Sequence, residues 1–323
     1  MSTAVKHHFV QQFLLRNFVA SGNSDFLYVY DKRTDRVFPA AIENVAAEKH
    51  LYDFQLDDAE VTVESWLADF ESAAAEAVHA VLRNGHLRAV TLYERVLLSG
   101  LVAHLLVRAP QQRAAMRHMI SELRQKVAAM GTDPDRLPEL KLLDTNEEKI
   151  FTVLSLEHML KEVVPVIAEK CWVLHSTAQN ESLYVSDNPV VMHNELSIGP
   201  PGNLGLAVAG VEVYLPLSRN ICLAMYCPKL MAQVERDFER YRRGKLLKYG
   251  PSVLPDEVNG LLNAMRTGDS SPLPAQCAEF VNSLQVWNAE RYVYSGVNNF
   301  TLAREMIAKN PHLRTGGPRA EVV

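Results

Sequence analysis

The chain has 323 residues, with 33 Lys and Arg against 38 Asp and Glu for a formal net charge of −5, and 48% of its residues are apolar. Those proportions are ordinary for a globular protein and exclude a collagen, a coiled coil and a disulfide-stapled scaffold. The length supports a core that needs no staple, and the negative balance argues against broad nucleic-acid binding through a basic face.

The opening MSTAVKHHFVQQFLLRNF lacks the apolar run and cleavage site of a secretory signal. Residues Lys6 to Phe18 read as helical or partly extended. As a helix they align His8, Gln12 and Arg16 in one polar stripe. FLYVYD and RVFPA flank the polar turn Lys32–Asp35 and predict a β-hairpin. IENVAAEKHLYDF follows as a short helix and then a strand or loop. Leu67, Glu71, Ala74, Val78 and Leu82 recur at helical spacing and predict a helix over 63–83. Arg88 to Arg108 is apolar nearly all round, the pattern of a buried central helix. Its most apolar part, Val96 to Val107, spans only about 18 Å as a helix, too short for a bilayer. Gln111 to Met130 is a third helix, opened by Pro110 and ended by Gly131. Asn146 to Glu169 is a fourth, with Pro165 late in it.

Beyond Cys171, CWVLHSTA, SLYVSDNPVVM, VEVYLPLS and ICLAMYC read as short strands. The segment NELSIGPPGNLGLAVAG reads as a loop or flap; no GK[ST] follows to make it a P-loop. Helices are expected at Pro228–Arg243, Glu257–Arg266, Ala275–Arg291 and Phe300–Lys309, with TGDSSPLP as a loop and YVYSG as a strand. The tail 312–323 is expected to be disordered. Residues 1–311 then form one α+β domain: a central, mostly helical bundle around the buried apolar helix. An N-terminal β-hairpin and a small antiparallel or mixed sheet from the C-terminal half flank it.

Cys222 and Cys227 lie in or beside an apolar run, and no CxxC pair exists. They read as buried free thiols rather than a zinc ribbon, in keeping with a reducing cytoplasm. Several polar residues stand in apolar surroundings. Glu71 falls on an apolar helix stripe, where a carboxylate needs a partner; Arg108 is one candidate, and a divalent ion shared with Glu64 is another. Arg108 shares a face with His104 and also suits a phosphate or carboxylate. Ser186-Asp187-Asn188-Pro189 reads either as an Asx-type turn or as a strand end that carries Asp187 to a cleft rim. Asn282 and Gln285 share a helix face, and there they cap backbone or read a ligand.

Together these segments resemble the domain of unknown function 4238 family. HHFVQQFLLRNF, LYVYDK, NVAAEKHLY, the LADFE helix, SLYVSDNPVV and VYLPLS carry the resemblance. The family opening reads His-His-x-x-Pro-Gln, and Gln11 stands where that proline would be. The resemblance implies a mainly bacterial, intracellular protein of no established activity. It selects His7, His8, Gln12, Arg16, Glu48, Tyr52, Glu71, Arg108, Ser186, Asp187, Asn188 and Pro189 as one shared polar site.

That set supports three readings. In a metal-dependent hydrolase or nuclease, His8, Glu71 and Asp187 would hold Mg²⁺ or Mn²⁺. Arg108 or Arg16 would neutralise charge developing on a phosphodiester, and His7 or Glu48 would act as general base. In a non-catalytic binding or sensor protein, the same residues, with Gln12, Tyr52, Ser186 and Asn188, would form a pocket for a small ligand or nucleic-acid end, closed by the loop Gly199–Gly210. In the third, they are a buried network that fixes the packing. No reading involves a membrane.

Overall fold

The computed structural model describes residues 6–20, 25–49, 53–56, 59–62, 64–137, 140, 147, 161–178, 181–194, 196, 205–244 and 255–316. The fold is α+β. Strand β1 (Lys6–His8) leads into the short helix α1 (Gln12–Arg16), and β1 pairs antiparallel with β4 (Ala47–Lys49). The expected hairpin is present as β2 (Phe26–Asp31) and β3 (Arg36–Ala41), joined by a turn in which Asp35 takes a positive φ of 56°. A 3₁₀ turn at Ile42–Asn44 connects β3 to β4, and β5 (Asp53–Leu56) with β6 (Ala59–Thr62) adds a second hairpin.

Helices α2 (Glu64–Asn84), α3 (Leu92–Arg108) and α4 (Pro110–Ala129) come next. Thr91 and Glu94 form a capping box at the start of α3, so the helix begins at Leu92 rather than at Arg88. Every residue of α3 from Leu98 to Leu106 is buried. Gly100 lets α2 come close: a Cβ there would sit 2.9 Å from the Phe70 ring. The first turn departs from expectation, since Leu92 is 77% exposed and Tyr93 68%. Described residues 161–169 form α5. The expected start of that helix and the loop residues 197–204 lie outside the described residues.

Strands β7 (Cys171–Thr177), β9 (Val191–His193), β10 (Glu212–Pro216) and β11 (Ile221–Tyr226) build a sheet in the order β12-β7-β11-β10-β9. Its edge strand β12 (Ser270–Leu273) runs parallel to β7, so the sheet is mixed, and it occupies the segment expected as a loop. Around it lie α6 (Pro228–Arg242), α7 (Pro255–Thr267) and α8 (Ala275–Asn288). All four cysteines are free, and Cys222 is fully buried in β11.

A four-stranded antiparallel sheet, β3-β2-β13-β8, joins the two ends of the chain. Strand β13 (Tyr292–Ser295) lies between the N-terminal hairpin and β8 (Val185–Ser186). Helix α9 (Thr301–Lys309) and its N-cap Phe300 supply Phe300, Ala303 and Ile307 to a small core with Tyr30 and Tyr184. Residues Pro311–Thr315 then form a 3₁₀ helix with Leu313 buried, so the disorder expected from residue 312 does not begin there. None of the described helices is long and apolar enough to cross a membrane.

Candidate functional site

The expected site residues fall into two groups. The first surrounds a polar cavity of about 300 Å³ where β1, α1, α2 and the end of α3 meet. His7, His8, Gln11, Gln12, Glu71 and Arg108 all line it. Arg108 is its anchor. The guanidinium is 2% exposed, and Nη1 lies 2.5 Å from Glu71 Oε1 while Nη2 donates to the His8 carbonyl. The carboxylate on the apolar stripe is thus met by the arginine at the end of the neighbouring buried helix. His8 Nδ1 lies 3.4 Å from Gln12 Nε2, and Arg16 donates to Gln12 Oε1 at 2.8 Å. The polar stripe therefore persists although β1 gives way to α1 partway along it. Burial lowers the His8 pKa from its ordinary value, against the pull of the Ile42 and Glu43 backbone and the Glu71 carboxylate. His7 is buried and stands opposite Glu48 in the β1–β4 register, while the Glu48 carboxylate turns to Arg113. Tyr52 lies outside the described residues, as does the Glu64 side chain.

The second group is the turn Ser186–Pro189, which carries the chain from β8 of one sheet to β9 of the other. Asp187 is buried there, and its carboxylate accepts the backbone N–H groups of Glu290, Arg291 and Tyr292 at 2.8, 2.7 and 2.8 Å. Burial pushes its pKa up to about 6, against those three amides and the Lys32 ammonium. Ser186 Oγ lies 2.8 Å from Gln285 Oε1, and Gln285 Nε2 donates to the Pro189 carbonyl at 2.8 Å. Asn188 Nδ2 donates to Gln111 Oε1 and, at 3.2 Å, to the Asn288 carbonyl. Asn282 binds the Tyr184 N–H and the Ser182 carbonyl. The carboxamides of α8 thus cap backbone, and the turn is an inter-sheet clamp.

The divalent-ion set expected from His8, Glu71 and Asp187 is not assembled. His8 and Glu71 line the polar cavity, whereas Asp187 lines a different one and spends its oxygens on three amides. Among the described residues no group of three His, Cys, Asp or Glu is placed to hold a metal ion.

Two residues escaped the sequence reading. Lys32 looked like part of a solvated turn, yet its side chain is fully buried and its ammonium donates to the Val286 and Ala289 carbonyls at 2.8 and 2.6 Å. It caps the C-terminus of α8, and burial lowers its pKa to about 8. Gln11 was noted only as a departure from the family opening. It is 1% exposed at the cavity, and its Nε2 faces Glu71 Oε1 at 3.5 Å, which fixes the amide orientation. Its Oε1 is then buried without a hydrogen-bond partner among the described residues.

An α+β protein with a polar cavity between its N-terminal segment and helices α2 and α3 is the class that fold and site define. The chain belongs to the family described as Protein of unknown function (DUF4238), whose model matches residues 6–298. No curated protein and no solved structure matches the chain.

Proposed function

We propose that this is a cytoplasmic, non-catalytic ligand-binding or sensor protein, and that its polar cavity receives a small molecule rich in N–H donors. One observation carries the reading: the Gln11 carbonyl oxygen is buried, oriented and unsatisfied at a cavity of about 300 Å³. An unpaired buried acceptor costs about 1–3 kcal/mol, a cost that a donor-bearing ligand would remove. The Glu71 carboxylate also offers an acceptor, while Arg108 is committed to Glu71 and the His8 carbonyl. The hydrolase reading requires a metal set that the described residues do not assemble, which leaves binding better supported.

A thermal-shift screen of amides, amidines and purine bases tests the proposal. A ligand at a hundred times its Kd stabilises by about 2.7 kcal/mol, a rise of several degrees. The rise is expected in the wild type and should vanish in Gln11→Leu, whose fold is checked by circular dichroism. Calorimetric titration of Mn²⁺ into chelator-stripped protein runs beside it. Stoichiometric Mn²⁺ binding, lost in both His8→Ala and Asp187→Ala while both stay folded, would overturn the proposal in favour of the hydrolase.

A further inference from the structure

The second cavity, about 420 Å³, lies between the β1–β4 ribbon and the sheet β3-β2-β13-β8. Its size falls in the range of small-molecule sites, and its walls differ in kind from those of the polar cavity. Phe9, Val29, Phe38, Val45 and the Tyr292 ring make it largely apolar. The charged groups around it are committed to other parts of the protein. Arg33 pairs with Glu290 at 3.2 Å, and Arg291 pairs with Asp31 at 2.8 Å while stacking on Tyr292. Glu48 pairs with Arg113, and Asp187 holds three backbone amides. A charged ligand would have to displace one of these pairs to be neutralised.

A buried hydroxyl on the lining keeps an unused donor. Tyr294 is 1% exposed; its hydroxyl oxygen meets the Ala46 backbone N–H, and its proton has no acceptor among the described residues. Beside it Ala46 adopts a φ of +51°, a conformation rare for a residue with a Cβ and costly to hold. Both residues line the cavity. A buried hydroxyl with an unused proton, at an apolar cavity, is the arrangement of an orienting contact for a hydrogen-bond acceptor.

We infer that this cavity binds a neutral, largely apolar small molecule carrying one hydrogen-bonding group, oriented by the Tyr294 hydroxyl. At about 30 Å³ per water-sized group, the volume admits a ligand the size of a substituted bicyclic aromatic. The site is separate from the polar cavity, so this inference stands or falls independently of the proposed function.

Naphthol and naphthoate, titrated at pH 7 and followed by ligand fluorescence, serve as neutral and anionic probes of one shape. Naphthol is expected to bind one per chain, and naphthoate at least tenfold more weakly. Tyr294→Phe removes only a hydroxyl and should weaken naphthol about fivefold, the worth of one hydrogen bond of about 1 kcal/mol. Ala47→Phe, which fills the cavity from β4, should abolish binding, and His8→Ala should leave it unchanged. The inference is overturned by absence of saturable naphthol binding, by equal binding of naphthoate, or by unchanged affinity in a folded Tyr294→Phe or Ala47→Phe protein. Should Ala47→Phe fail to fold, the Tyr294→Phe comparison decides alone.

Discussion

Replacing Arg108 by Met removes the guanidinium while keeping most of the side-chain volume, and it strikes the group that ties α2, α3 and β1 together. In the wild type the arginine is 2% exposed and the Glu71 side chain 27%, with 2.5 Å between their bonded atoms. Unit charges about 4 Å apart at an effective dielectric of 20 attract by roughly 4 kcal/mol. Desolvation of the guanidinium and the partial exposure of Glu71 reduce that figure. The stranded His8 carbonyl adds about 1 kcal/mol of lost hydrogen bonding. Arg108→Met is therefore expected to lose roughly 3 kcal/mol. Glu71→Gln leaves the arginine buried without its counter-charge and should cost roughly 2 kcal/mol or more. If the two residues act as a pair, the double variant loses about 3 rather than 5, a coupling of roughly 2 kcal/mol. Urea unfolding at pH 7 followed by far-UV circular dichroism measures all four proteins. Additive losses, within about 0.5 kcal/mol, would refute the pairing as the organiser of this junction.

Three further outcomes follow from other parts of the molecule. His104 is buried and stacked 4.2 Å from Phe70, and burial, with the nearby Arg108 charge, lowers its pKa to about 3. The unfolded imidazole takes up a proton near pH 6.5 and the folded one does not, so stability falls as pH drops below 6.5. This one residue contributes about 2 kcal/mol of that loss between pH 7 and 5, and chemical denaturation of His104→Leu across that range should show a correspondingly shallower decline. Asp187→Asn places an NH₂ group against backbone donors that now meet a carboxylate, and it should cost about 2–4 kcal/mol, read as a lowered urea midpoint with an unchanged slope. Gly296 has no Cβ because one would sit 2.1 Å from the Phe18 carbonyl oxygen. Gly296→Ala should destabilise by about 1–3 kcal/mol, and a melting temperature equal to wild type would contradict that close approach.

What could be read from the sequence was local. The β2–β3 hairpin was legible because alternation and a polar turn lie within sixteen residues of one another. Its third neighbour was not, since nothing in FLYVYD says that the partner is YVYS some 260 positions later. Ser270–Leu273 was missed because Ser-Ser-Pro-Leu lacks β-formers, and its pairing with β7 alone makes it a strand. The run that marked α3 as buried holds for Leu98 to Leu106 but not for Leu92 and Tyr93, because apolarity does not reveal where a helix leaves the core. Within the site, a carboxylate on an apolar stripe announced its need for a counter-charge, and Arg108 meets it. The turn chemistry of Ser186–Pro189 was equally visible, whereas the amides that occupy Asp187 belong to residues 290–292 and could not be foreseen. Lys32 was hidden for the same reason: the carbonyls that bury it are more than 250 residues away.

The central place of β13 between β2 and β8 also sets a timetable for the nascent chain. The hairpin leaves the ribosome about 260 residues ahead of its partner strand. At the usual 5–20 residues per second that is a wait of roughly 13–50 s. Throughout it β2 keeps an open edge able to pair with another chain, and Lys32 has no carbonyls to receive its ammonium. The sheet is thus closed only by β13, and a translational pause before Tyr292 would prolong the interval in which an unfinished molecule can aggregate.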